Sequence, residues 1–158
     1  MTTTIRALAP GDAQACDAIV ASLPNHLGQE EGRRECATAV RTQRGLVAER
    51  DGEVVGFLTI EDRFDRAAEI TWMAVHASHR GGGLGTALMD RLAADLTAAG
   101  RRLLLVLTVS PSDGPDDVDD GYASTRAFYV ANGFALARDF AGYWSGGDTP
   151  VLMVRVLD

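Results

Sequence analysis

The stretch that decides the fold runs Val75-His76-Ala77-Ser78-His79-Arg80-Gly81-Gly82-Gly83-Leu84-Gly85-Thr86. It joins a run that reads as a strand, Glu69 to Val75, to one that reads as a helix. The helix shows in Leu84, Leu88, Leu92 and Leu96, whose spacing by four lays one apolar stripe along one face. Glycines at such a junction let the backbone approach a ligand and turn its N–H groups inward. The helix start adds unpaired N–H donors and the positive end of a dipole, a setting for a pyrophosphate. Arg80 supplies a charge-assisted partner. A glycine-rich loop serving only tight packing is the competing reading. Two other phosphate loops fit worse. No Lys follows Gly85, as a P-loop requires, and the third glycine of a dinucleotide fingerprint is missing, with Leu88 in its place.

Working outward, Ile5 to Leu8 reads as a first strand and Asp12 as the N-cap of a helix carrying Ala15, Ile19 and Leu23. Residues Pro24 to Gly28 break that helix, and Glu31 to Arg41 form a second. Gly45 to Arg50 and Glu53 to Glu61 are strands joined by the hairpin signal Asp51-Gly52. Gly100 closes the helix after the glycine loop, and the apolar run Leu103 to Leu107 is a strand covered on both faces. Tyr122 to Ala131 is helical, and Phe134 to Phe140 and Val151 to Leu157 are the last strands. The order β-α-α-β-β-β-α-β-α-β-β, about seven strands with four helices, predicts one α/β domain over residues 1–158 with a mixed α+β sheet.

Bulk properties narrow the function. The net charge of −7 argues against a nucleic-acid partner and mildly favours a cationic one. No apolar run approaches the ~20 residues of a membrane span. The first residues do not resemble a signal peptide, so the expected location is the cytoplasm. Cys16 and Cys36 are expected as reduced, buried residues, and with three scattered histidines no metal site is expected.

The run Arg80-x-x-Gly83-x-Gly85 resembles the Arg/Gln-x-x-Gly-x-Gly/Ala signature of the GNAT acetyltransferase superfamily. Upstream, Glu69-Ile70-Thr71-Trp72-Met73-Ala74-Val75 is similar to the family's fourth strand. Downstream, Arg126-Ala127-Phe128-Tyr129-Val130-Ala131-Asn132-Gly133-Phe134 is similar to its second motif. The resemblance implies a GNAT-like fold and acetyl-CoA as cosubstrate, without a metal. It implies that Gly81, Gly82, Gly83, Leu84, Gly85 and Thr86, with Arg80, hold the pyrophosphate, and that Met73, Ala74 and Val75 receive the pantetheine arm. Tyr129 would face the sulfur, and Glu69, eleven residues before Arg80, would act as base. One departure stands out. Tyr122 occupies the position seven before the tyrosine, where many members carry Asn.

The implied reaction moves acetyl directly to a primary amine of a small molecule or peptide. An alkyl ammonium titrates at about 10.4 and must lose a proton first. Glu69 is the first candidate base, with a solvent-facing strand position or an ion pair as its alternative, and Glu61, at a strand end near the same cleft, is the second. A covalent route through Cys16 or Cys36 is disfavoured, since neither sits in a nucleophile motif. His26, His76 and His79 read as surface or loop residues, with His79 within reach of a phosphate. In simple alternation Trp72 points away from Glu69 to pack against a helix; a bulge would shift that phase. Phe140, Tyr143 and Trp144 would line an acceptor wall, or form a lid or a homodimer contact. The acidic loop Asp113, Asp116, Asp117, Asp119 and Asp120 is a solvated loop or a mouth attracting cations. A non-catalytic acyl-CoA-binding regulator, and a transferase using another acyl donor or acceptor, are the alternative functions.

Overall fold

The computed structural model describes residues 2–23, 30–111, 122–144 and 148–158. Among these residues seven strands and four α-helices follow the predicted order: β1 (Thr3–Ala7), α1 (Ala13–Ala21), α2 (Glu30–Thr42), β2 (Arg44–Arg50), β3 (Glu53–Asp62), β4 (Ala67–Val75), α3 (Leu84–Ala98), β5 (Leu103–Val109), α4 (Ala123–Ala131), β6 (Ala135–Asp139) and β7 (Pro150–Val156). The strands form one sheet in the order β1-β2-β3-β4-β5-β7-β6. Every neighbouring pair is antiparallel except β4 and β5, which run parallel. A parallel pair needs a long crossover, and α3 supplies it.

Two apolar clusters cover the two faces of the sheet. One joins Leu84, Leu88, Leu92 and Leu96 of α3 and Tyr129 of α4 to Ala68, Ile70, Leu104 and Met153 of the strands. This is the stripe read from the sequence, buried to 4% exposure or less. The other packs Cys16, Ile19 and Val20 of α1 and Cys36 and Val40 of α2 on Val47, Phe57 and Ala74. Ala15 is only half-buried; the residues of α1 that turn fully inward are Ala13, Cys16, Ile19 and Val20. Asp12 precedes α1 but does not cap it through its side chain. Its carboxylate instead accepts from Arg6 Nη1 and Nη2, each at 2.8 Å, and from the Ala9 N–H at 2.8 Å, tying β1 to the start of α1.

One irregularity positions the site. Thr59 pairs with Trp72 but Ile60 pairs with Ile70, so Thr71 is an extra residue in β4. Side chains before the bulge (Ala68, Ile70) and after it (Met73, Val75) therefore all face α3. Glu69 alternates with Ala68 and Ile70, and Trp72 packs with the α1–α2 cluster. The simple alternation expected for Trp72 thus fails: the bulge puts Trp72 on the same face as Glu69, while its packing against helices holds.

Candidate active site

β4 and β5 pair only over four residues, Ala67↔Leu103 to Ile70↔Val106. Beyond them β4 continues to Val75 and β5 to Val109, and the strands part. A cavity of about 320 Å³ lies beside this end of β4, lined by Met73, Ala74 and Val75, the loop from His79 to Thr86 except Gly82, and Ser124, Thr125, Phe128 and Tyr129 of α4.

The glycines of the loop have distinct tasks. Gly83 is the N-cap of α3 at φ +81°, a left-handed conformation costly for any residue with a Cβ. It offers no side-chain cap, so the first-turn amides of Leu84, Gly85 and Thr86 remain available to a ligand. Gly85 is needed for packing: a Cβ there would meet Phe128 Cε1 at 2.9 Å. α4 likewise begins without a side-chain cap, at Tyr122, and its first turn brings Ser124 and Thr125 to the cavity. Two helix starts therefore border one cavity, a donor-rich environment that fits an anionic, extended ligand.

Of the residues predicted for cofactor contact, Met73, Ala74, Val75, Arg80, Gly81, Gly83, Leu84, Gly85 and Thr86 line the cavity. Gly82 is the member of the loop that does not; a Cβ on it would lie 3.2 Å from Arg50 Nη1. Tyr129 lines the cavity from α4, 6% exposed and stacked edge-on between Phe128 and Phe134. Burial pushes its phenol well above the usual tyrosine range, so the hydroxyl stays protonated.

Glu69 lies on the opposite face, at the closed end of the gap. Its Oε1 accepts from Arg63 Nε at 3.1 Å, and Arg63 Nη1 also donates to Glu61 at 2.7 Å. The two candidate bases are cross-strand partners in register and share one guanidinium. The ion pair expected as the alternative for Glu69 is thus present, and Glu61 shares it. Cys16 and Cys36 are free and buried, and burial pushes both thiols up to about 12. A thiol held that high stays protonated and is a poor nucleophile.

His79 lines the cavity. His76 Nδ1 accepts from the Ser78 N–H at 3.1 Å and so caps the short turn before the glycine loop. The Phe140 ring already carries a cation, with Arg138 Cζ 5.0 Å from its centroid, and Tyr143 is exposed. His26, the break at Pro24 to Gly28 and the acidic residues Asp113 to Asp120 lie outside the described residues. Among the described residues no cluster of metal-ligating side chains occurs and no helix is long and apolar enough to cross a membrane. Sequence reading missed Ser124, Thr125 and Phe128 as cavity residues. Their place follows from how α4 approaches the glycine loop, which residue spacing does not show.

A mixed sheet parts beside a glycine-rich helix start, and the cavity lies where the two meet. The chain belongs to the GNAT family: the sequence model of the acetyltransferase (GNAT) domain matches residues 41–136. No curated protein matches the sequence. Among solved structures, a GNAT-family protein from Desulfovibrio desulfuricans superposes with a TM-score of 0.85 at 21% identity, over 99% of this chain and 100% of that one. The ribosomal-protein-S18-alanine N-acetyltransferase from Escherichia coli superposes with a TM-score of 0.75 at 19% identity, over 99% and 95%. An aminoglycoside 6′-N-acetyltransferase complexed with coenzyme A gives 0.74 at 14% identity, over 100% and 98%.

Proposed function

We propose that this chain transfers acetyl from acetyl-CoA directly to the primary amine of a small molecule or peptide. The observation that carries this reading is the cavity itself, in which uncapped first-turn amides of α3, the parted strand β4 and a buried tyrosine meet. The pyrophosphate would lie against the amides of Gly81 to Thr86, with Arg80 beside it. The pantetheine arm would follow the backbone of Met73 to Val75 as a strand would. Membership of the GNAT family, and relatives that acetylate a protein alanine or an aminoglycoside, support the amine acceptor.

The chain's own groups supply the remaining chemistry. The acceptor nitrogen attacks the thioester carbonyl from the Glu69 side of the gap, and its surplus proton passes to Glu69 directly or through water. The Met73 N–H donates to the carbonyl oxygen as negative charge builds there. As the C–S bond breaks, the Tyr129 hydroxyl donates toward the departing sulfur, which its burial keeps it able to do. Most of the acceleration comes from holding thioester and amine together.

Release of coenzyme A thiol from acetyl-CoA, read across a library of small amines and peptides, tests the proposal. Glu69→Gln is expected to lower kcat for an accepted amine about a hundredfold and to leave coenzyme A affinity near its original value. No thiol release with any amine, alongside tight coenzyme A binding, would favour a non-catalytic binder.

A further inference from the structure

The polar groups on the α1–α2 side of the sheet form a chain that the reaction scheme does not use. Gln43 closes α2, its N–H bonded to Ala39 O at 2.8 Å, and immediately precedes β2. Its side chain crosses to two other strands. Nε2 donates to Glu61 Oε1 at 2.8 Å, and Oε1 accepts from the Thr71 hydroxyl. The amide can be oriented only this way, because the Glu61 carboxylate only accepts. Thr71 has one proton and gives it to Gln43, so in the 2.7 Å contact between the two threonines Thr59 is the donor. Thr59 is completely buried. Thr71 is the extra residue of the β4 bulge.

We propose that Gln43 is a positioning residue for the cofactor cavity. From the junction of α2 and β2 it holds the bulge at Thr71, and the bulge decides which side chains of β4 face that cavity. A bulge residue has no partner across the ladder, so hydrogen bonds from its side chain can help to hold it. Here the Thr71 hydroxyl is held from two sides, by Gln43 and by Thr59. Losing the phase shift at Thr71 would turn the Met73 and Val75 side chains away from α3, toward α1 and α2, and bring the Trp72 side chain to the α3 face in their place. The inference rests on the reading that this cavity takes coenzyme A, and adds a residue on the far face of the sheet to its construction.

The test uses the full chain with coenzyme A as the probe, by calorimetry, together with amide hydrogen exchange. Gln43→Ala and Thr71→Val, which both remove the bond between Thr71 and Gln43, are each expected to weaken coenzyme A binding about fivefold. Combined, they should weaken it no more than the worse of the two, because both break the same link. Thr71→Ser keeps the hydroxyl and should bind as the unchanged protein does. Exchange at Trp72 to Val75 should quicken in Gln43→Ala, while exchange in the middle of α3 stays the same. Unchanged affinity and exchange in Gln43→Ala, or full additivity of the two substitutions, would overturn the proposal. Should Thr71→Val not fold, Gln43→Ala and Thr71→Ser still decide it. Failure of the unchanged protein to bind coenzyme A would instead remove the cofactor reading, and the exchange measurement would still show whether Gln43 holds the bulge.

Discussion

Gly85 and Phe128 touch across the two helices that frame the cavity: the Cβ of any larger residue at position 85 would stand 2.9 Å from the phenylalanine ring. The first turn of α3 is thereby pressed against the middle of α4, close to Met73. Gly85→Ala is expected to push Phe128 aside, at a cost of about 1–3 kcal/mol in stability. Coenzyme A affinity should fall about tenfold, as the two helix starts separate. Thermal unfolding and calorimetry on the same samples check both figures.

Gly83 fails differently. Its φ of +81° makes alanine there costly by about 1–2 kcal/mol, with no steric neighbour involved. Gly83→Glu adds a negative charge beside the uncapped amides of α3, and binding of coenzyme A is expected to vanish while far-ultraviolet circular dichroism stays unchanged. Normal coenzyme A binding by Gly83→Glu would show the loop to be a packing device.

Tyr129→Phe removes one oxygen from the cavity wall and leaves the stacking between Phe128 and Phe134 in place. We expect kcat to fall about tenfold to a hundredfold with coenzyme A affinity nearly kept. Because burial raises the phenol, the tyrosine should contribute no loss of rate up to pH 10. A pH–rate profile of the unchanged protein and of Tyr129→Phe, compared above pH 8, is the check.

With their thiols pushed up to about 12, Cys16 and Cys36 should resist alkylation by iodoacetamide at pH 8 in the folded protein. Cys16→Ala and Cys36→Ala should keep kcat within about twofold, since neither thiol lines the cavity. A trapped acetyl-cysteine in mass spectra of an acetyl-CoA reaction would contradict this.

Asp12 gives an acid-stability prediction. Its bonds to Arg6 hold the carboxyl below its ordinary value. A carboxylate depressed in the folded state stabilises the fold above its unfolded value, and that stabilisation drains away as pH falls through the folded one. Asp12→Asn should therefore cost about 1–2 kcal/mol at neutral pH, discounted for the partly exposed Arg6, and progressively less below pH 4. Denaturant titrations at pH 7 and pH 3 measure the difference.

Much of this arrangement was legible from residue order because it rests on local signals. The leucines at 84, 88, 92 and 96 announce a helix by spacing, and Asp51-Gly52 announces a hairpin by turn chemistry. What residue order did not give was the state of Glu69. Its shared guanidinium comes from Arg63 in the turn after β3, a pairing that follows from strand register and leaves no mark in spacing. Ser124 and Thr125 were missed for a similar reason, since only the approach of α4 to α3 shows which turn borders the cavity. The phase of Trp72 depends on one extra residue at Thr71, where alternation alone has no means of detecting a skipped rung.

Within the sheet, four rungs of parallel ladder join β1–β4 to β5–β7. The sheet is therefore two antiparallel leaves on a short spine, and the angle between the leaves sets how wide a guest can slide in. Residues along the spine, Ala68 and Leu104 among them, thus govern the width of an opening they never reach.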